Sequence, residues 1–264
     1  MKRFTAVFLT ICLGVFSSAG AQEKAPAKTQ TRSERVSKSF QFGIELRQYK
    51  YEEPGFVEHN GLLYGFWGEW LWRSAMGSGR TNADILFGTL KYDGALCDIS
   101  NNCTPYTANT KDIIAKGSIR LEFPLATSTN LITGIGGRYL YDKGEGIGFY
   151  QRTGTWLFLP AGVNFNLETS VGKLIFEAEY DYIFYGNFRS NLSEVGSSFT
   201  DLTHTQTGYG LYLSTGLQFN DFSISGFYEL WDLNESNTVE SNGLFFIEPK
   251  NDSKAFGVKA GFRF

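Results

Sequence analysis

The sequence has little of what catalytic and metal-binding sites usually need. It holds only 2 histidines and 3 cysteines among 264 residues. The cysteines make no C-x-x-C pair and have no histidine beside them, so neither a zinc motif nor a redox motif is present. No cofactor and no metal are therefore expected. Basic residues are not in excess either: 24 Lys and Arg stand against 27 Asp and Glu, for a net charge of −3. That balance carries no nucleic-acid footprint. Long apolar runs are missing as well. After the first residues, none approaches the ~20 residues of a spanning helix. Insertion into a membrane would have to use strands.

What is present begins at the N-terminus. Lys2 and Arg3 precede an apolar stretch from Phe4 to Phe16, and Ala19-Gly20-Ala21 gives an A-x-A site before Gln22. This reads as a secretory signal peptide over 1–21. Cys12 does not mark a lipoprotein, because Ile11 stands before it where a small residue is expected. Cleavage removes Cys12, Lys2 and Arg3, leaving Cys97 and Cys103 and a net charge of −5. Two nearby cysteines in an exported chain are read most simply as a disulfide stapling a loop tip. Residues 22–38 are polar, basic and free of aromatics, and read as a disordered periplasmic linker.

From 39 to 264 the texture changes to glycine, aromatics and alternation. Ten strand-like segments are expected, at about 39–52, 61–73, 82–95, 112–123, 129–142, 153–167, 173–187, 207–219, 222–234 and 253–264. Leu62, Tyr64, Phe66, Trp70 and Trp72 share one face of the second. Leu157, Leu159, Val163, Phe165 and Leu167 share one face of the sixth. The third is ambiguous: either Ile85 and Phe87, or Leu86, Leu90 and Tyr92, face outward. Short links such as Asn220-Asp221 alternate with long polar stretches at 96–111, 188–206 and 235–252.

The final segment carries the most specific signal. Phe256, Val258, Ala260, Phe262 and Phe264 alternate with Gly257, Lys259, Gly261 and Arg263. This pattern resembles the C-terminal signature of bacterial outer-membrane β-barrels. Lys259 takes a position where many such signals have glycine. The resemblance implies an all-β, closed antiparallel transmembrane barrel, with ten strands expected and eight or twelve as alternatives. It implies a Gram-negative outer-membrane location. It also implies contact with outer-membrane lipid and lipopolysaccharide, and folding by the barrel-assembly machinery that reads those five residues. Closure should pair the last strand with Phe40, Phe42, Ile44 and Leu46. Trp70, Trp72, Tyr139, Tyr141, Tyr182, Tyr228 and Phe264 should lie in interfacial girdles.

If the apolar face meets lipid, the opposite positions line the lumen. They include Glu45, Arg47, Glu69, Lys116, Arg120, Glu122, Arg138, Glu177, Glu179, Asp181, Glu229, Lys259 and Arg263. Buried charges of both signs should pair, with Arg120 and Arg138 answering the carboxylates of Glu177, Glu179 and Asp181. The expected function is a structural barrel or a narrow pore for small solutes and ions. A surface protein that binds a ligand through its loops is the alternative. Ten strands is also the number in the omptin proteases, whose site uses an Asp pair facing an Asp-His pair. Here Asp201-Leu202-Thr203-His204 lacks the Asp-x-His spacing. Barrel lipid A deacylases need a His-Ser pair, and Thr205 follows His204. Both histidines are expected in loops, and no catalytic role is expected. Mass spectrometry of the non-reduced mature protein should show Cys97 linked to Cys103; two free thiols would contradict the stapled loop.

Overall fold

A computed structural model describes residues 37–264 except 75–76, 98–102, 147 and 197–198. The expected signal peptide and residues 22–36 of the expected linker lie outside the described residues, whereas Ser37 and Lys38 belong to the first strand. Ten long strands form the wall: β1 (Ser37–Glu53), β2 (Val57–Ser74), β3 (Gly77–Cys97), β4 (Cys103–Ala126), β5 (Thr129–Gly144), β6 (Gln151–Thr169), β7 (Gly172–Ser190), β9 (Gly208–Phe219), β10 (Phe222–Leu233) and β13 (Asn251–Arg263). Three short strands sit in the connections: β8 (Leu202–Thr205), β11 (Val239–Ser241) and β12 (Leu244–Phe246). All wall pairings are antiparallel, β6 pairs with β7, and β13 lies between β10 and β1. The sheet therefore closes on itself with no free wall edge.

Closure follows the expected register. Phe42 stands opposite Phe262, Ile44 opposite Ala260 and Leu46 opposite Val258. The Phe264 N–H donates to the Phe40 carbonyl at 2.8 Å. Side chains alternate across the wall because a strand has period two. Phe42, Ile44, Leu46, Tyr64, Phe66, Ile119, Leu157, Val163, Phe176, Leu213, Val258 and Phe262 are all exposed on the outside. A continuous apolar exterior around a closed barrel is the arrangement lipid requires, since closure leaves no row of unpaired strand-edge groups. Trp70, Tyr139, Tyr182, Tyr228 and Phe264 are exposed as girdle positions, while Trp72 and Tyr141 are half-buried.

The two ends differ. At one end all four connections are two residues long, at 75–76, 127–128, 170–171 and 220–221. Asn220 enters the last of them at φ 45°, a left-handed conformation that Asn tolerates. The other end carries 54–56, 98–102, 145–150, 191–207 and 234–250. Strands reach further toward this end than the sequence pattern suggests. The stretch 96–111 is mostly a continuation of β3 and β4, with Cys97 opposite Cys103 in register. The polar composition there reflects strand extended past the lipid belt: Lys50 pairs outward with Glu58 at 2.9 Å and Lys111 with Glu145 at 2.8 Å. The stretch 188–206 includes the end of β7, a 3-10 turn over Leu192–Glu194, and β8, while 235–252 includes the β11–β12 hairpin.

The structure resolves the phase of two strands. On β3, Ile85 faces out while Leu86, Leu90 and Tyr92 face in. On β7 the register slips where Leu157 meets Tyr185 and Phe158 meets Ile183, so Phe184 and Tyr185 both face outward. Such a bulge resets the alternation above it. Among the described residues no helix is long and apolar enough to cross a membrane. Deleting Phe264 removes the last closing hydrogen bonds and an outward aromatic. It should sharply reduce the heat-modifiable, folded form recovered from outer membranes; unchanged recovery would contradict this closure account.

Candidate functional site: the charged lumen

Read up each strand from the short-turn end, the inward side chains change character in the same order. On β4 they run Arg120, Ser118, Lys116, Ile114, Asp112; on β7, Glu177, Glu179, Asp181, Ile183; on β10, Glu229, Trp231, Leu233. Charges come first, then apolar side chains. On β1, β4 and β5 charges return above them, as Glu53, Asp112 and Asp142.

The lower charges form a shared network of ion pairs. The three carboxylates of β7 each meet a different cation. Glu177 pairs with Arg80 at 2.6 Å, Glu179 with Arg120 at 2.5 Å, and Asp181 with Lys116 at 3.1 Å. Lys116 also reaches Glu229 on β10 at 3.0 Å. Arg47 joins Glu45 on its own strand, Glu229 at 2.8 Å and Asp84 at 3.7 Å. Lys259 approaches Glu45 at 3.2 Å. Arg80 further reaches Glu122 at 3.3 Å and the half-buried Glu69 at 3.5 Å. Arg263 is half-buried at the short-turn mouth, its Nε without a hydrogen-bond partner.

The expected partner Arg138 behaves differently. Its guanidinium lies 5.3 Å from the Trp156 ring and 5.0 Å from the Trp231 ring, and it donates to Tyr49 Oη and Ser253 Oγ. Among the described residues it makes no ion pair. Cation–π contact replaces carboxylate contact there. Arg80, Asp84, Arg152 and the apolar layer were not in the sequence reading. Inward Leu63, Leu86, Leu90, Ile114, Leu140, Trp156, Phe158, Ile183 and Trp231 are buried and form one cluster inside the barrel. Glycines make room for the largest of them: a Cβ on Gly136 would sit 2.2 Å from the Phe158 ring, and one on Gly154 2.0 Å from Trp156. That small-beside-large pairing was the available signal.

Among the paired charges, a cavity of 130 Å³ is lined by Gln41, Asp84, Lys116, Glu177, Tyr212 and Lys259 among others. A wider recess of 400 Å³ opens at the short-turn mouth. Above the apolar layer, and level with the outward ion pairs beyond the lipid belt, Arg152 meets Asp142 at 2.6 Å and Glu53 at 2.9 Å, with Glu248 at 3.7 Å. Burial raises the loop residue Glu248 to about 8 despite Arg152. Both histidines differ from expectation. His59 lies in β2 and is buried facing inward. His204 lies in β8, buried, with Ser236 Oγ 3.3 Å from its Nδ1. The Ser236 hydroxyl donates to the Asn237 carbonyl at 2.9 Å, and His204 Nδ1 lies 3.1 Å from that same carbonyl.

No family model matches the sequence, and no curated protein matches it. Solved structures with a similar fold include the outer membrane protease OmpT of Escherichia coli, at 10% identity and TM-score 0.48, covering 90% of this chain and 98% of that one. Ail, the attachment invasion locus protein of Yersinia pestis, aligns at 11% identity and TM-score 0.37, over 86% and 99% of the two chains. Neisserial surface protein A aligns at 10% identity and TM-score 0.35, over 85% and 95%.

Lys116→Ala would strand the buried Asp181 carboxylate and leave Glu229 with Arg47 alone. It should destabilise the barrel by ~3–5 kcal/mol in urea unfolding from lipid vesicles. Adding Asp181→Asn and Glu229→Gln should recover part of that loss. A single variant within about 0.5 kcal/mol of the parent would show the pairs to be incidental.

Proposed function

We propose that this outer-membrane β-barrel is a side-chain-plugged scaffold rather than an open porin. The observation that carries the reading is the crossing at mid-height, where Lys116 of β4 joins Asp181 of β7 and Glu229 of β10 beneath a buried apolar layer. A ten-stranded barrel is narrow enough for side chains to fill. Ions could pass only if that crossing came apart, so any conduit is narrow and normally closed. The chain is exported by its signal peptide over 1–21 and folded by the barrel-assembly machinery. Its short turns face the periplasm and its longer connections the cell exterior, as in other barrels of this class. Cys97 and Cys103 form a disulfide across the β3–β4 tip, which their register supports. The reading includes no catalysis: the Asp-x-His spacing of omptins is missing.

A second reading, ligand binding at the exterior, rests on one observation. The β11–β12 hairpin presents Leu244 and Phe245 to solvent, with Phe245 73% exposed. An exposed aromatic at a loop tip suits contact with another surface.

Refolded protein in planar bilayers should give no steady conductance. Lys116→Ala combined with Trp231→Ala should produce small, frequent openings. Steady porin-sized steps from the parent protein would overturn the plugged-barrel reading. For the second reading, Phe245→Ser should weaken adhesion of expressing cells to host-cell surfaces; unchanged adhesion would remove it.

A further inference from the structure

The inward residues at the loop end do not balance. Glu53, Asp112, Asp142 and Glu248 are all buried, and Arg152 reaches three of them, Glu53, Asp142 and Glu248. Asp112 is 3% exposed, yet among the described residues it forms no ion pair; its contact is the Thr110 hydroxyl, which donates to Oδ1 at 2.7 Å. Glu248 Oε1 is buried without a hydrogen-bond partner. A buried carboxylate without countercharge is a costly arrangement unless something cationic joins it.

The group nearest Asp112 has the chemistry of a metal site. His59 from β2, Asp112 from β4 and Asp142 from β5 each offer one ligand atom, and these atoms lie within 4.8 Å of one another. His59 Nδ1 lies 3.9 Å from Asp142 Oδ2. Imidazole with carboxylates suits first-row divalent ions such as zinc. The set is also held in place. The His59 ring is gripped edge-on by Tyr51 and Tyr92, both at 5.3 Å. Thr110 orients Asp112, and Arg152 orients Asp142. Such supporting contacts are what fix ligands in metal sites.

We propose that His59, Asp112 and Asp142 bind one first-row divalent cation at the loop end of the lumen. The ion supplies the countercharge that Asp112 lacks and ties β2, β4 and β5 together above the apolar layer. Arg152 shares Asp142 and keeps the remaining carboxylates, Glu53 and Glu248, in the same cluster. This site is separate from the mid-lumen crossing and does not depend on whether that crossing conducts.

The test is calorimetric titration of Zn²⁺ into the refolded, chelator-treated full-length barrel in detergent, with heat-modifiability confirming the fold of every variant. The parent should bind one equivalent. His59→Ala and Asp112→Asn should each weaken binding by roughly tenfold or more, while His204→Ala should leave it unchanged. A second readout separates ligand from merely structural roles. Without metal, Asp112→Asn should unfold no earlier than the parent, since it removes an unbalanced charge. With Zn²⁺, the parent and His204→Ala should gain stability, and His59→Ala and Asp112→Asn should gain less. Absence of stoichiometric binding by the folded parent, or full binding by folded His59→Ala, would overturn the site. So would loss of binding in His204→Ala alone.

Discussion

Everything inside this barrel depends on one requirement: a charge withdrawn from water must meet an opposite charge. Lys116 shows how the wall satisfies it. One ammonium answers carboxylates from two strands on other parts of the wall, Asp181 and Glu229. The rings of Phe158, Tyr212 and Trp231 lie 5.0–5.5 Å from the same ammonium. Because Glu229 is shared with Arg47, and Arg47 with Glu45 and Asp84, the pairs form a connected lattice. That lattice joins β1, β3, β4, β7 and β10 across the lumen. Lipid fixes the exterior by excluding unpaired backbone; charge matching fixes the interior.

Much of the architecture was legible in the sequence because it depends on a period of two. The apolar alternation in β13 and β1 shows both the closing pair and its register, and the structure joins them as Phe42 with Phe262 and Leu46 with Val258. The reading failed where period two says nothing. On β3 both faces are apolar, so Ile85 and Leu86 compete for the outward place. At Phe184 and Tyr185 a bulge puts two neighbours on one face. The polar run before Asp112 read as loop, since a strand beyond the lipid belt needs no apolar face. His59 was assigned to a loop for the same reason.

Pairing partners were less legible than positions. Thirteen charged positions were expected in the lumen, and the structure places them inside, with Glu69, Lys259 and Arg263 half-buried. Which cation meets which carboxylate depends on how opposite strands face one another, and alternation along a strand carries no such information. Arg120 meets Glu179 as expected, but Arg138 lies between two tryptophans, and Arg80 takes the carboxylate left over. The loop-end group is the extreme case. His59, Asp112 and Asp142 come from three separate strands and have no motif in common.

The central claim, that the lumen is interrupted at mid-height, can be tested by chemical access from outside the cell. Ser225 lines the cavity below the crossing. Ser225→Cys should resist a membrane-impermeant thiol reagent applied to intact cells, and should become reactive once Lys116→Ala is added. Equal, rapid labelling of Ser225→Cys with and without Lys116→Ala would show an open path through the barrel and contradict the account.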